Sequence, residues 1–90
     1  MRTFKLVIAT PDGNMLEDEA CILTLRGASG DLAVLAGHIP LVTSVKPCDC
    51  KAETEDGVEH MFRIDGGLLS VSAEKTVLLC GSCQKISEEK

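Results

Sequence analysis

Two cysteine pairs, Cys48-x-Cys50 and Cys80-Gly-Ser-Cys83, are the residues best suited to chemistry in this chain. Four thiolates can close a tetrahedral zinc site. The spacing argues against one. Side chains on a strand alternate, so Cys48 and Cys50 share a face, whereas Cys80 and Cys83 face opposite ways unless Gly81 turns the chain. The Cys48-x-Cys50 half also lacks the two-residue spacing of a zinc knuckle. A redox reading of Cys80-Gly-Ser-Cys83 needs a helix N-terminus to lower a thiol pKa, and only seven residues follow Cys83. The plainer expectation is small thiols buried or half-buried in strands. Five cysteines is an odd count that no closed set of internal disulfides uses up, and without an export signal reduced thiols are expected.

Other reactive groups are poorly grouped. His60 alternates with Glu59 and Met61 and reads as a surface residue, while His38 follows Gly37 in a loop. Ser29, Ser44, Ser70, Ser72 and Ser82 lack the Gly-x-Ser-x-Gly setting of an elbow nucleophile. Gly27-x-x-Gly30 is not a phosphate loop, because no Gly-Lys-Ser/Thr follows it. Glu17, Asp18 and Glu19 are consecutive, so strand geometry splits them between faces as a solvated patch. These patterns predict a protein with no catalytic residues, no metal and no cofactor.

What must position these residues is read from the hydrophobic period, which is two almost everywhere. Phe4, Leu6 and Ile8 alternate with Lys5, Val7 and Ala9, and Cys48, Cys50 and Ala52 alternate with Asp49, Lys51 and Glu53. Pro11-Asp12-Gly13-Asn14 and Ala73-Glu74-Lys75 are turns. Asp56-Gly57 predicts a tight hairpin of type I′, and Gly66-Gly67 breaks the chain once more. No helical window of ten residues precedes the tail Gln84 to Lys90, which is polar and free to fray or to begin a helix. Turn signals at this pace predict an all-β fold, a two-sheet β-sandwich of about eight to ten short strands with a short polar C-terminal tail.

Ninety residues make one domain with a modest core, which must be aliphatic because Phe4 and Phe62 are the only aromatic residues. A net charge of −5 without a basic cluster argues against nucleic acid and anionic lipid, and favours a protein partner. The start MRTFKLVIAT lacks a signal-peptide pattern, and the longest uncharged run, Ile39 to Val45, is far too short to cross a bilayer. A soluble, intracellular protein is expected.

The stretch from Gly27 to Thr43 organises the rest. It is Gly-punctuated, with Asp31 its only permanent charge, and is either buried between sheets or pressed against a partner. Gly27-x-x-Gly30-Asp31-Leu32-x-Val34-x-x-Gly37-His38-x-Pro40-Leu41, followed by Lys46-Pro47 and Gly66-Gly67-Leu68, resembles the epsilon subunit of bacterial and plastid F-type ATP synthases. The resemblance covers nearly the whole chain.

It implies an N-terminal β-sandwich domain over residues 1–84, with 85–90 a polar tail where the family's pair of C-terminal helices would begin, here absent. It further implies a non-catalytic rotor subunit of the central stalk, coupling proton translocation to ATP synthesis and lacking the helices that inhibit ATP hydrolysis. Carried over by position, Ala28, Ser29, Gly30 and Asp31 form the loop facing the c-ring, with Asp31 in place of the usual Glu. Thr10, His38, Leu41 and Thr43 lie near the gamma subunit. The implied location is peripheral, at the cytoplasmic face of the bacterial plasma membrane, with the c-ring's polar loops and gamma as partners and no direct membrane insertion. Ala33, Ala36 and Cys48 depart from residues usual in the family. The rival expectation is a small intracellular metal-binding or thiol-redox β protein using Cys48, Cys50, Cys80 and Cys83.

Overall fold

A computed structural model describes residues 2–89, and Met1 and Lys90 lie outside the described residues. The described chain is all strand: β1 (Phe4–Thr10), β2 (Gly13–Gly27), β3 (Gly30–Leu35), β4 (Leu41–Val45), β5 (Cys48–Thr54), β6 (Glu59–Ile64), β7 (Gly67–Val71), β8 (Lys75–Cys80) and β9 (Cys83–Glu89). Two layers form around β2. In the first, β4, β7, β8 and β1 run side by side, and β1 pairs with the first half of β2. In the second, β3 and β5 flank the other half of β2, with β6 and then β9 beyond β5. The expected two-sheet sandwich is therefore borne out.

β2 can serve both layers because its ladder slips at bulges. Cys21 has no partner between Ala20↔Thr54 and Ile22↔Glu53, so β2 gains one residue over β5 and bends there. A second slip leaves Met15 unpaired between Leu16 and Asn14, opposite β1. The pairing of β1 with β8 is parallel, and it joins the first strand to one some 70 residues later.

The core lies between the layers and follows the period-two expectation. Leu6 and Ile8 from β1, Cys50 and Ala52 from β5, and Phe62 and Ile64 from β6 are buried, as are Leu69 and Leu78 from β7 and β8. Phe62 is the largest fully buried side chain. Burying a residue of that size stabilises by roughly 2–3 kcal/mol relative to exposing it.

Three local expectations need correction. First, the polar segment after Cys83 is strand β9, paired with β6 from Ile64↔Cys83 to Glu59↔Glu89. Its stability comes from backbone ladder bonds, which need no hydrophobic pattern. Second, the Asp56-Gly57 turn is not type I′, which requires positive φ at two central residues. Only Gly57 has positive φ (84°), and no other residue type adopts one. Gly57 N–H donates to Thr54 O at 2.9 Å and Thr54 N–H to Val58 O at 2.9 Å, a longer hairpin closed by a left-handed glycine. The Asp56 carboxylate accepts from Thr54 Oγ1 and from Val58 N–H, bonds made with Asp56 at negative φ. Third, His60 shares the inward face with Phe62 and Ile64, its side chain only 12% exposed and its ring stacked parallel to Phe62 at 6.4 Å.

Candidate docking surface

The outer faces of the two layers differ in chemistry. On the first, the register runs Val7↔Val77↔Ser70↔Val42 across β1, β8, β7 and β4, and the next outward row runs Ala9↔Leu79↔Leu68↔Ser44. Alternation forces this, since the intervening residues of each strand face the core. Val42, Leu79 and Leu68 are 66%, 50% and 44% exposed, and Ile39, in the loop before β4, is 75% exposed. The two rows carry no formal charge. Lys5 and Lys75, neighbours in the parallel ladder, mark one end, where Lys5 pairs with Glu17 at 3.6 Å. At the other end Ala9, Thr10, Pro11, Leu68, Leu79 and Gly81 line a shallow apolar depression.

The second layer is wet outside. Arg26 pairs with Asp31 at 3.3 Å, Arg63 with Asp49 at 3.1 Å and Lys51 with Glu59 at 3.9 Å. The Asp49 carboxylate, hydrogen-bonded to Arg63, raises the pKa of that guanidinium. Exposed pairs of this kind contribute little stability, but they keep the face hydrated. An uncharged apolar face of this kind on one layer marks a candidate interaction surface.

The residues singled out from sequence fall in two groups. Ala28 and Ser29 form the turn between β2 and β3, with Gly27↔Gly30 as its closing pair and Gly30 at φ 128°. Ala28 N–H donates to Ser44 O at 3.1 Å, which ties this tip to the end of β4. Asp31 is 85% exposed beside it. Thr10, at the end of β1, lies at the same end of the first layer, since its neighbour Ala9 is in the row that ends at Ser44. His38 precedes β4, next to Leu41↔Val71, and so lies at the opposite end. Leu41 and Thr43 are half-buried on the inward side of β4, and Leu41 packs on the core. The exposed positions of that strand are Val42 and Ser44. Sequence reasoning missed Val42, Leu68 and Leu79, although counting by two from buried Val45, Leu69 and Leu78 would have found them.

The thiols converge without making a chelate. Cys48 and Cys83 flank Ile64 from β5 and β9, roughly 10 Å apart at ordinary strand spacing. Cys50 is buried, and Cys80 and Cys83 both turn toward the core because the chain bends at Gly81 and Ser82. Burial pushes the Cys50 thiol up to about 12 and that of Cys80 up to about 11, with neighbouring thiols adding to both. Among the described residues no group of three His, Cys, Asp or Glu side chains is placed to hold a metal ion. Cys83 begins strand β9, and the rival reading as a metal or thiol-redox protein is not favoured.

A family model described as the ATP synthase delta/epsilon chain beta-sandwich domain matches residues 3–86. The chain belongs to this family. The ATP synthase epsilon chain, sodium ion specific, of Propionigenium modestum is 34% identical over 88 residues, covering 98% of this chain and 64% of that protein. The ATP synthase epsilon chain of Clostridium novyi is 34% identical over 83 residues, covering 92% and 63%. The chain therefore spans about three fifths of the length of these relatives. A chain in the cryo-EM structure of Euglena gracilis mitochondrial ATP synthase shares the fold, with a TM-score of 0.86 at 24% identity over 92% of this chain and 53% of that one. The resemblance read from the Gly27–Thr43 stretch thus holds over nearly the whole chain. No helix of the described residues is long and apolar enough to cross a membrane.

Proposed function

We propose that this domain is a non-catalytic rotor element of an F-type ATP synthase. It docks on the gamma subunit through the outer face of the β1-β8-β7-β4 layer and offers the Ala28–Asp31 hairpin to the polar loops of the c-ring. Rotation driven by proton translocation then passes through a joint of complementary shape to the site of ATP synthesis. The domain stays peripheral to the membrane, at the cytoplasmic face in a bacterial cell, held there by its partners.

The observation that carries this reading is the pair of uncharged outward rows on the first layer, since on the second the exposed Leu35 and Ile86 lie only on its two outermost strands, β3 and β9. Val42, Leu68 and Leu79 are outward and uncharged on one layer, while Arg26, Asp49, Lys51 and Arg63 occupy the other. The exposed Asp31 carboxylate at the hairpin tip suits contact with basic or amide groups of a loop.

The test is co-purification with gamma from cells carrying tagged variants. Val42→Asp and Leu79→Asp put charge on exposed positions of a folded domain, and each is expected to weaken capture of gamma at least tenfold. Glu53→Lys on the other layer leaves capture unchanged. Equal loss from both layers, or loss from neither, refutes the assignment of the face. Asp31→Arg is expected to retain gamma and to reduce ATP-driven proton pumping.

A further inference from the structure

Among the described residues β9 pairs with β6 alone, so its outer edge contributes no ladder bonds. A slip between Met61 and Phe62 leaves Ile86 unpaired and divides the ladder. Ile64↔Cys83, Arg63↔Gln84 and Phe62↔Lys85 lie on one side of it, and Met61↔Ser87, His60↔Glu88 and Glu59↔Glu89 on the other. In the second group Glu59 and Glu89 set like charges opposite each other, which weakens the pairing. What holds the end of the strand therefore depends on His60 and Glu88.

A neutral imidazole carries one proton, and the neighbours of His60 fix its place. Thr54 Oγ1 has a single proton and donates it to the Asp56 carboxylate, a charged acceptor, so toward His60 Nε2, 3.3 Å away, the hydroxyl oxygen accepts. Nε2 thus holds the ring proton. Nδ1 is left with a lone pair, buried and without a hydrogen-bond partner, 3.4 Å from Glu88 Oε1. A lone pair facing a carboxylate repels it, whereas a second proton on Nδ1 turns the same contact into a charge-assisted pair. Titratable groups meet the ring from each neighbouring element of its layer. The β5–β6 hairpin brings Asp56, β9 brings Glu88 with Lys85 bound to its Oε1, and β2 brings Cys21, whose Sγ–H donates to Thr54 O at 3.9 Å. Glu59 and Arg63 of β6 itself lie on the outward face. The Thr54 hydroxyl holds Asp56 below the ordinary carboxylate range and Lys85 does the same for Glu88, with the His60 charge adding to both. Both carboxylates therefore stay ionised while the ring gains its proton.

We infer that His60 is a proton-operated catch on the β6–β9 edge, whose second proton fastens the outer half of β9 through Glu88 and whose loss releases it. In the folded chain a protonated Nδ1 gains a partner that the unfolded chain lacks. The added stability is complete on the acid side of the histidine range and is lost as pH rises through it. Gln84 and Lys85, paired on the near side of the slip, stay in place. The catch lies on the second layer, so its test is independent of the docking face proposed for gamma.

The experiment follows amide exchange of the whole chain by NMR at about pH 5.5 and about pH 7.5, corrected for the intrinsic rate at each pH. Protected amides between Ser87 and Glu89 are expected to gain on the order of fivefold in protection at the lower pH, the worth of a partly exposed ion pair. Those of Gln84 and Lys85 are expected to stay level. Glu88→Gln, at a half-exposed position, keeps the fold and abolishes the gain. His38 titrates in the same range, but it is common to both proteins and cancels. Imidazole nitrogen spectra at the higher pH show His60 protonated on Nε2. No gain in the parent, an equal gain in parent and variant, or a His60 ring protonated on Nδ1 instead would each overturn the inference.

Discussion

Replacing Gly67 by alanine tests whether the first layer is held together by a backbone approach that no other residue permits. Gly67 lies in β7 between Val45 of β4 and Cys80 of β8. A Cβ built there falls 1.9 Å from the carbonyl oxygen of Leu79 and 2.9 Å from its carbon. Real Cβ contacts essentially never fall below 3.0 Å, so β8 must withdraw by about an ångström or the chain must rotate out of register. Either response loosens the Gly67↔Cys80 pairing and tilts Leu68 and Leu79, the two largest side chains of the apolar face. Overpacking by rigid backbone costs roughly 3 kcal/mol or more. For a 90-residue domain expected to have about 5–13 kcal/mol in all, that is a large fraction. The melting temperature should fall by about 12–24 °C on the scale for domains of this size. Gly57→Ala is the control, because its Cβ meets nothing within 4 Å and its φ of 84° carries only the left-handed penalty of about 1–2 kcal/mol. Thermal and urea unfolding followed by circular dichroism measure both. If Gly67→Ala costs no more than Gly57→Ala, the close approach is not what that glycine provides.

Two other perturbations probe the core. The buried Cys50 thiol has its pKa pushed up to about 12 from an ordinary 9.0, so above pH 9 the unfolded chain loses this proton first. Its contribution is complete below pH 9 and declines as pH rises toward 12, by about 1.4 kcal/mol per pH unit. Urea titrations at about pH 8 and about pH 10 should show Cys50→Ala losing about 1.4 kcal/mol less than the parent over that interval. An identical loss in both proteins contradicts the assignment. Phe62→Ala empties the largest buried site, and about 3–5 kcal/mol should be lost in the same assay, with β6 and β9 amides exchanging fastest.

Much of the architecture is legible in the chain because the alternation is strict. Leu6 with Ile8 and Cys50 with Ala52 are placed on shared faces by sequence alone, and each is buried. The acidic run Glu17-Asp18-Glu19 lies on strand β2 with Glu17 and Asp18 exposed, as the same rule predicts. That rule misled only where another force set the outcome: β9 is a polar segment held by its backbone ladder with β6, and a bulge at Ile86 further scrambles its period. His60 was assigned to the surface from its polar neighbours, whereas counting by two from Phe62 puts it inside. The parallel contact of β1 with β8 joins segments some 70 residues apart, and no local pattern encodes it.

That long-range contact matters for the docking face. Val7 and Val77 meet only because β1 lies beside β8 in one register, and a slip of a single residue would turn Leu6 or Ile8 outward in place of Val7. Stability and recognition are therefore set by the same ladder. Leu6 and Ile8 inward fix Val7 and Ala9 outward, and Leu78 inward fixes Val77 and Leu79 outward. A substitution that loosens the core on this layer also misaligns the apolar rows, whereas an equal loosening of β5 and β6 leaves them in place. Phe62→Ala should thus lower stability while sparing capture of gamma, and Gly67→Ala should impair both at temperatures where each variant is still folded. The reverse pattern would mean that recognition resides on the charged layer, with the exposed valines and leucines idle.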